Sequence, residues 1–73
     1  VQVMGVTVAP LDLDALATRL RATGEGEVKR GPYAVRFLAG DLDATIFPDG
    51  RAIVKGTGDV GRARSFYARF VGS

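Results

Sequence analysis

The stretch Tyr33-Ala34-Val35-Arg36-Phe37-Leu38-Ala39-Gly40-Asp41-Leu42-Asp43-Ala44-Thr45-Ile46-Phe47-Pro48-Asp49-Gly50-Arg51-Ala52-Ile53-Val54-Lys55 decides the fold. It contains three short runs, Tyr33 to Leu38, Leu42 to Phe47 and Arg51 to Lys55, divided by Ala39-Gly40-Asp41 and Pro48-Asp49-Gly50. Both dividers carry a glycine, which tolerates positive φ, and the second adds a proline with φ already fixed for a turn. The runs therefore pair back on one another as an antiparallel meander. Side chains alternate across a strand, so the meander has two unlike faces. One collects Tyr33, Val35, Phe37, Leu42, Ala44, Ile46, Ala52 and Val54, and the other Arg36, Leu38, Asp43, Thr45, Phe47, Arg51, Ile53 and Lys55. The first is the face that needs a cover.

Two amphipathic segments on either side supply that cover. Upstream, Asp12 is placed as an N-cap, Asp14 lies in the first turn, and Leu11 can staple against Leu16. Leu13, Leu16, Ala17 and Leu20 fall on one stripe, Arg19 and Arg21 complement the C-terminal end of the dipole, and Gly24 stops the helix, which runs from about Leu13 to Thr23. Downstream, Gly56-Thr57-Gly58 breaks the last strand and Asp59 caps a second helix. Its stripe is Val60, Ala63, Phe66, Tyr67, Phe70 and Val71, and Gly72 ends it. A weaker strand is expected at Glu27 to Arg30, separated from the meander by Gly31-Pro32. Val1 to Val8 alternates on Val1 and Val3 and then on Val6 and Val8, which predicts a strand with a bulge at Met4-Gly5, stopped by Pro10. The order is β-α-β-β-β-β-α. The expected class is α+β, a curved antiparallel sheet with both helices on one face and the other face open.

Composition narrows the function. Seventy-three residues make one domain, 1–73, which buries only about 60% of the surface its unfolded chain exposes. Apolar residues at 47% and charged residues at 25% match a globular domain. No apolar run approaches the length of a membrane span, so a soluble, cytoplasmic chain without membrane contact is expected. With no Cys and no His, the sequence lacks the thiol nucleophile, the thiolate metal ligand, the neutral-pH proton shuttle and the commonest nitrogen ligand. Neither a catalytic nor a metal-binding set can be assembled, and the chain is expected to bind or position something else. A net charge of +2 is too small to argue for nucleic acid. The first residue is Val, and Gly72-Ser73 follows the last apolar pattern, so both ends are expected to continue into a longer polypeptide.

Several motifs imitate chemistry. Gly56-Thr57-Gly58-Asp59-Val60-Gly61 spells GxGxxG between a strand and a helix. A dinucleotide unit needs a further parallel strand and an acidic residue roughly 20 positions on, and too little chain follows. Asp59 also puts a carboxylate where a pyrophosphate would sit, which leaves at most a weak anion site at this helix start. Asp41 and Asp43 are spaced for acid–base or cation chemistry, but nothing else converges on them; one reads as a turn residue and the other as a solvated or salt-bridged strand residue. Arg62, Arg64 and Arg69 read as a solvated helix face, with a basic patch for an acidic partner or a phosphate backbone as the alternative. Tyr33 and Tyr67 read as core-edge aromatics with wet hydroxyls. The open face mixes apolar and cationic side chains where a solvated face would be polar. Arg36, Leu38, Thr45, Phe47, Arg51, Ile53 and Lys55 are its candidate interface, centred on Leu38, Phe47 and Ile53; the rival reading is scattered surface hydrophobes.

Two stretches, Thr45-Ile46-Phe47-Pro48-Asp49-Gly50-Arg51-Ala52-Ile53-Val54-Lys55-Gly56-Thr57 and Ala63-Arg64-Ser65-Phe66-Tyr67-Ala68-Arg69-Phe70-Val71-Gly72, carry a family pattern. Together they resemble the C-terminal end of the ThiF/MoeB/HesA family of sulfur-carrier adenylyltransferases, which are themselves similar to ubiquitin-activating enzymes. Val1-Gln2-Val3 is similar to the segment that enters this end domain. The resemblance implies a parent enzyme that uses ATP and Mg to adenylate the C-terminal glycine of a ubiquitin-like sulfur carrier, for thiamine or molybdopterin biosynthesis. It implies that this chemistry sits in an upstream nucleotide-binding domain. No catalytic, cofactor or metal residue carries over onto this sequence; what carries over is an accessory domain, with the upstream catalytic domain, a sulfur carrier or a sulfurtransferase as its partner. The sequence departs from the pattern at Val60-Gly61, where relatives often open the helix with Pro, and Gly61 weakens that first turn. The element order also resembles the repeat of the TATA-binding-protein fold. A rival function follows from that analogy: a stand-alone nucleic-acid-binding module, with Arg36, Arg51 and Lys55 on phosphates and Phe47 stacked on a base. Asp43 in the middle of the face stands against it.

Overall fold

The structure, a computed structural model, describes residues 1–4 and 10–72. Its elements are β1 (Gln2–Met4), α1 (Leu13–Thr23), β2 (Glu27–Arg30), β3 (Val35–Ala39), β4 (Leu42–Ile46), β5 (Arg51–Lys55) and α2 (Val60–Phe70). This is the α+β order expected from turn chemistry and periodicity. The bulge expected at Met4-Gly5 and the alternation on Val6 and Val8 lie outside the described residues.

The sheet runs β1-β5-β4-β3-β2, and every neighbouring pair is antiparallel. The β3–β4 hairpin closes on Gly40-Asp41, because Ala39 faces Leu42 across it. Gly40 takes φ 60, the positive value that a two-residue loop of the II′ kind requires at its first position. The β4–β5 turn is held by Phe47 N–H donating to the Arg51 carbonyl at 2.8 Å and by Asp49 Oδ1 accepting the Arg51 N–H at 2.9 Å. β1 adds to the outer side of β5 with Val3 facing Ala52, so the first strand is joined to the last by long-range pairing alone.

Both helices lie on one face. Asp12 Oδ1 accepts from the N–H groups of Asp14 and Ala15 at 3.0 and 3.1 Å, satisfying two amides that α1 leaves unpaired. Leu13, Leu16, Ala17 and Leu20 are buried, and Leu11 packs beside them as the staple predicts. Asp59 caps α2 in the same way, accepting from Gly61 N–H at 2.8 Å and Arg62 N–H at 3.2 Å. Beneath the helices Val35, Phe37, Ala44, Ile46, Ala52 and Val54 are sealed, with Leu42 close behind. Phe37 meets Phe66 and Phe70 of α2 with ring centroids 5.9 and 4.9 Å away, so one strand residue anchors a three-ring cluster.

Five expectations are corrected. Tyr33, assigned to the helix side, is 80% exposed. Gly31 N–H donates to the Ala34 carbonyl across a loop containing Pro32, so strand geometry begins only at Val35 and the alternation does not reach Tyr33. Val60 is the first helical residue, overhangs the sheet and is 48% exposed. The Tyr67 hydroxyl is not wet: it is buried and donates to the Gly50 carbonyl at 2.7 Å. Arg19 serves the other helix, its Nη2 donating to the Val71 carbonyl at the end of α2 at 3.1 Å. β4 stops at Ile46, because Phe47 already forms the turn.

Candidate docking surface

Strand register fixes the layout of the open face. One row runs Glu27, Leu38, Asp43, Lys55 across β2, β3, β4 and β5. The next runs Lys29, Arg36, Thr45, Ile53, Gln2 and adds β1. At the turn end, Phe47, Arg51 and Met4 continue the pattern, with Phe47 bonded to Arg51 and Met4 opposite Arg51.

The candidate interface residues all fall on this face, but they do not form one patch. Leu38 stands between Glu27 and Asp43, inside a charged row. Phe47 and Ile53 belong to the other end, where Met4, 62% exposed, joins them. The apolar centre is therefore Phe47, Ile53 and Met4, and Leu38 is an island among charges. Alternation around the buried Val3 would have placed Met4 on this face; the expected bulge at Met4-Gly5 obscured it. Phe47 and Ile53 are themselves only half-exposed. The Arg51 guanidinium lies 4.5 Å from the Phe47 ring centroid and covers part of it.

The charges are mostly neutralised in place. Arg36 grips Asp43 with two hydrogen bonds, Nε to Oδ1 at 3.0 Å and Nη2 to Oδ2 at 2.5 Å. Those bonds hold the Asp43 carboxyl below its ordinary range, with a smaller contribution from the Arg36, Lys55 and Lys29 charges, and raise the Arg36 guanidinium. Asp41 does not converge with Asp43. It turns towards α2, where Arg62 Nη2 donates to its Oδ1 at 2.7 Å and lowers its carboxyl. Arg69 pairs with Glu25 at 2.6 Å, so the patch on α2 retains only Arg64 without a carboxylate partner among the described residues.

The GxGxxG segment has a structural cause. Gly56 takes φ 100, and a Cβ there would collide with the Asp41 backbone carbonyl, so glycine lets β5 leave the sheet beneath the β3–β4 turn. The amides that could receive an anion at the start of α2 are already taken by Asp59, which removes the weak anion site. Among the described residues, no group of three or more acidic side chains could hold a metal ion, and no helix is long and apolar enough to cross a membrane.

At the β2–β3 loop the open face dips into a groove of about 370 Å³, lined by Lys29, Pro32, Tyr33, Ala34, Arg36 and Thr45 among others. Lys29 and Tyr33 are additions that the sequence did not single out for this face. The strand–strand register across β2 was needed to place the first, and Pro32 was the signal for the second.

The chain is an α+β unit whose antiparallel sheet carries its helices on one face. Its similarity is to a larger protein: the chain is 39% identical over 72 residues to the sulfur carrier protein ThiS adenylyltransferase of Bacillus subtilis (strain 168). The match takes in 99% of this chain and 21% of that protein, so the chain spans about a fifth of the length of the curated relative. This bears out the resemblance to the C-terminal end of the ThiF/MoeB/HesA family. No family model and no solved structure matches the chain, and the likeness to the TATA-binding-protein repeat gains no support.

Proposed function

We propose that the chain is the accessory C-terminal domain of an ATP-dependent adenylyltransferase that activates a ubiquitin-like sulfur carrier, and that it acts by docking through its open sheet face. The carrying observation is the similarity to a ThiS adenylyltransferase along almost the whole chain, combined with a sheet face that leaves Met4 62% exposed and Phe47 and Ile53 half-exposed. In this proposal adenylation, ATP and Mg belong to an upstream domain, and the chain itself binds no cofactor and catalyses nothing. Its partners are that upstream domain, the sulfur carrier or a sulfurtransferase, in thiamine or molybdopterin biosynthesis and in the cytoplasm. The contact surface is Arg36, Thr45, Phe47, Arg51, Ile53 and Lys55, with Leu38 at its charged margin. Against a nucleic-acid role, Arg36 is engaged by Asp43 and Arg51 by Phe47, so two of the three cations offered to phosphates are already in use.

The test is a titration of isotope-labelled chain with a ubiquitin-like sulfur carrier, followed by amide shifts. Shifts are expected along β4 and β5. Replacing both Phe47 and Ile53 by Ser should weaken binding by about tenfold or more while the chain stays folded. The proposal fails if the carrier leaves the face unmoved and single-stranded oligonucleotide shifts it with steep salt dependence.

A further inference from the structure

β2 lies at an edge of the sheet: β3 pairs with one side of it, and among the described residues no strand pairs with the other. We propose that this free edge pairs with β2 of a second copy, antiparallel and centred on Val28, so that two five-stranded sheets become one continuous sheet. Its success or failure is separate from that of the sulfur-carrier reading.

Hydrogen-bond alternation tells which groups are free. In an antiparallel ladder every second pair of residues exchanges N–H···O=C bonds. Gly31 N–H donates to the Ala34 carbonyl at 2.8 Å, one step beyond the register of β2 on β3, so the bonded pairs that precede it are Lys29 with Arg36 and Glu27 with Leu38. Val28 and Arg30 therefore turn their N–H and C=O groups outward, where no described strand takes them up. Such a row is a template for another strand.

Charge selects both the occupant and the register. A two-fold axis perpendicular to the sheet keeps the helices of both copies on one side, and only residues of the same face then lie opposite one another. Centring on Glu27, Lys29 or Arg30 sets like charges against each other. Centring on Val28 places Glu27 of each copy opposite Lys29 of the other, in the non-bonded pairs where side chains stand closest. The outward groups of the two Val28 residues then bond to each other across the axis, and Arg30 falls opposite Gly26, which has no side chain to crowd it. The neighbouring charges are already in use: Arg30 is held by Asp14 at 2.9 Å and Glu25 by Arg69 at 2.6 Å. Glu27 and Lys29 have no ion-pair partner among the described residues. The sequence Glu27-Val28-Lys29 is complementary to its own antiparallel image, which a second copy supplies and an unrelated strand need not.

The test is sedimentation velocity of the chain across a concentration series, with amide spectra recorded in parallel. Association should grow with concentration, and the largest shifts should fall at Val28 and Arg30. E27K or K29E turns both cross-strand pairs repulsive, and either should weaken self-association by about tenfold or more. An equimolar mixture of the two variants restores opposite charges at both pairs and should associate to within about threefold of the natural chain. A damaged fold cannot produce that rescue, and the amide spectrum of each variant reports its folding. A natural chain that stays monomeric at its highest soluble concentration overturns the proposal, as does association that the two variants leave unchanged or that their mixture fails to restore. A monomeric chain whose Val28 and Arg30 amides shift on addition of a sulfur carrier has its edge taken by a foreign strand, and that result overturns the proposal as well.

Discussion

The two faces of the sheet are built from the same five strands, yet they obey different rules. Under the helices, Val35, Phe37, Ile46 and Val54 are 0% exposed within one apolar core, so their surfaces are already committed. On the other side Leu38, Phe47 and Ile53 are half-covered by polar neighbours: Arg51 lies over Phe47, Leu38 sits between Glu27 and Asp43, and Ile53 between Thr45 and Gln2. Alternation alone predicts which face a residue joins. It does not predict that one face is closed by helices while the other is only screened by long side chains that can move aside.

Phe37→Ala attacks the closed face where it is most occupied, emptying the centre of the Phe37, Phe66 and Phe70 cluster. It should remove about 3–5 kcal/mol. A chain of this length has only about 4–11 kcal/mol in total, so a denaturant titration should find the variant largely unfolded or close to it. A midpoint near that of the natural chain would mean the helix side is not the core.

A smaller effect is expected from Tyr67→Phe, which leaves the ring in place and removes the hydroxyl from the Gly50 carbonyl. The loss should be about 1–1.5 kcal/mol, a fall in Tm of about 4–12 °C for a domain of this size. Burial raises this hydroxyl above its ordinary pKa, helped by the charge on Asp49, so it keeps its proton and its donor role beyond the usual tyrosine range.

The smallest effect belongs to the open face, where Asp43→Asn removes the grip on Arg36. Solvent screening keeps the loss within about 1 kcal/mol. Its signature is the pH dependence. Asp43 is held below its ordinary range in the fold, so its stabilisation is full above the unfolded value and disappears as pH falls through the folded one. Thermal melts from about pH 6 down to about pH 2 should show a shallower acid decline for Asp43→Asn than for the natural chain. Identical slopes would mean that the Arg36–Asp43 pair does not persist in solution.

Much of the architecture was legible because its signals are local. The caps at Asp12 and Asp59, the glycine stops and the turn residues delimit α1, β2, β5 and α2 within the chain itself. The site was only partly legible, because it depends on what lies beside each strand. That Leu38 is isolated follows from Glu27 on β2, and that Met4 extends the apolar end follows from β1 pairing with β5. The β1–β5 pairing has no turn to announce it in sequence, and the β2–β3 pairing is marked only by the Gly31-Pro32 loop. Tyr33 was misplaced for the opposite reason: its alternation with Val35 was clear, but the loop around Pro32 ended the strand before it could apply.

The position of β1 has a consequence during synthesis. It emerges from the ribosome ahead of every other element described here, yet its partner β5 is the last strand to appear, nearly the whole sheet later. At ordinary translation rates β1 waits several seconds with its edges unpaired, while β2 to β5 can already zip together through short connections. Phe37 waits less long but until later, for Phe66 and Phe70 to arrive with α2. The nascent chain thus carries an unfinished apolar surface until its final helix is made, and that interval is when it depends most on being left alone by other chains.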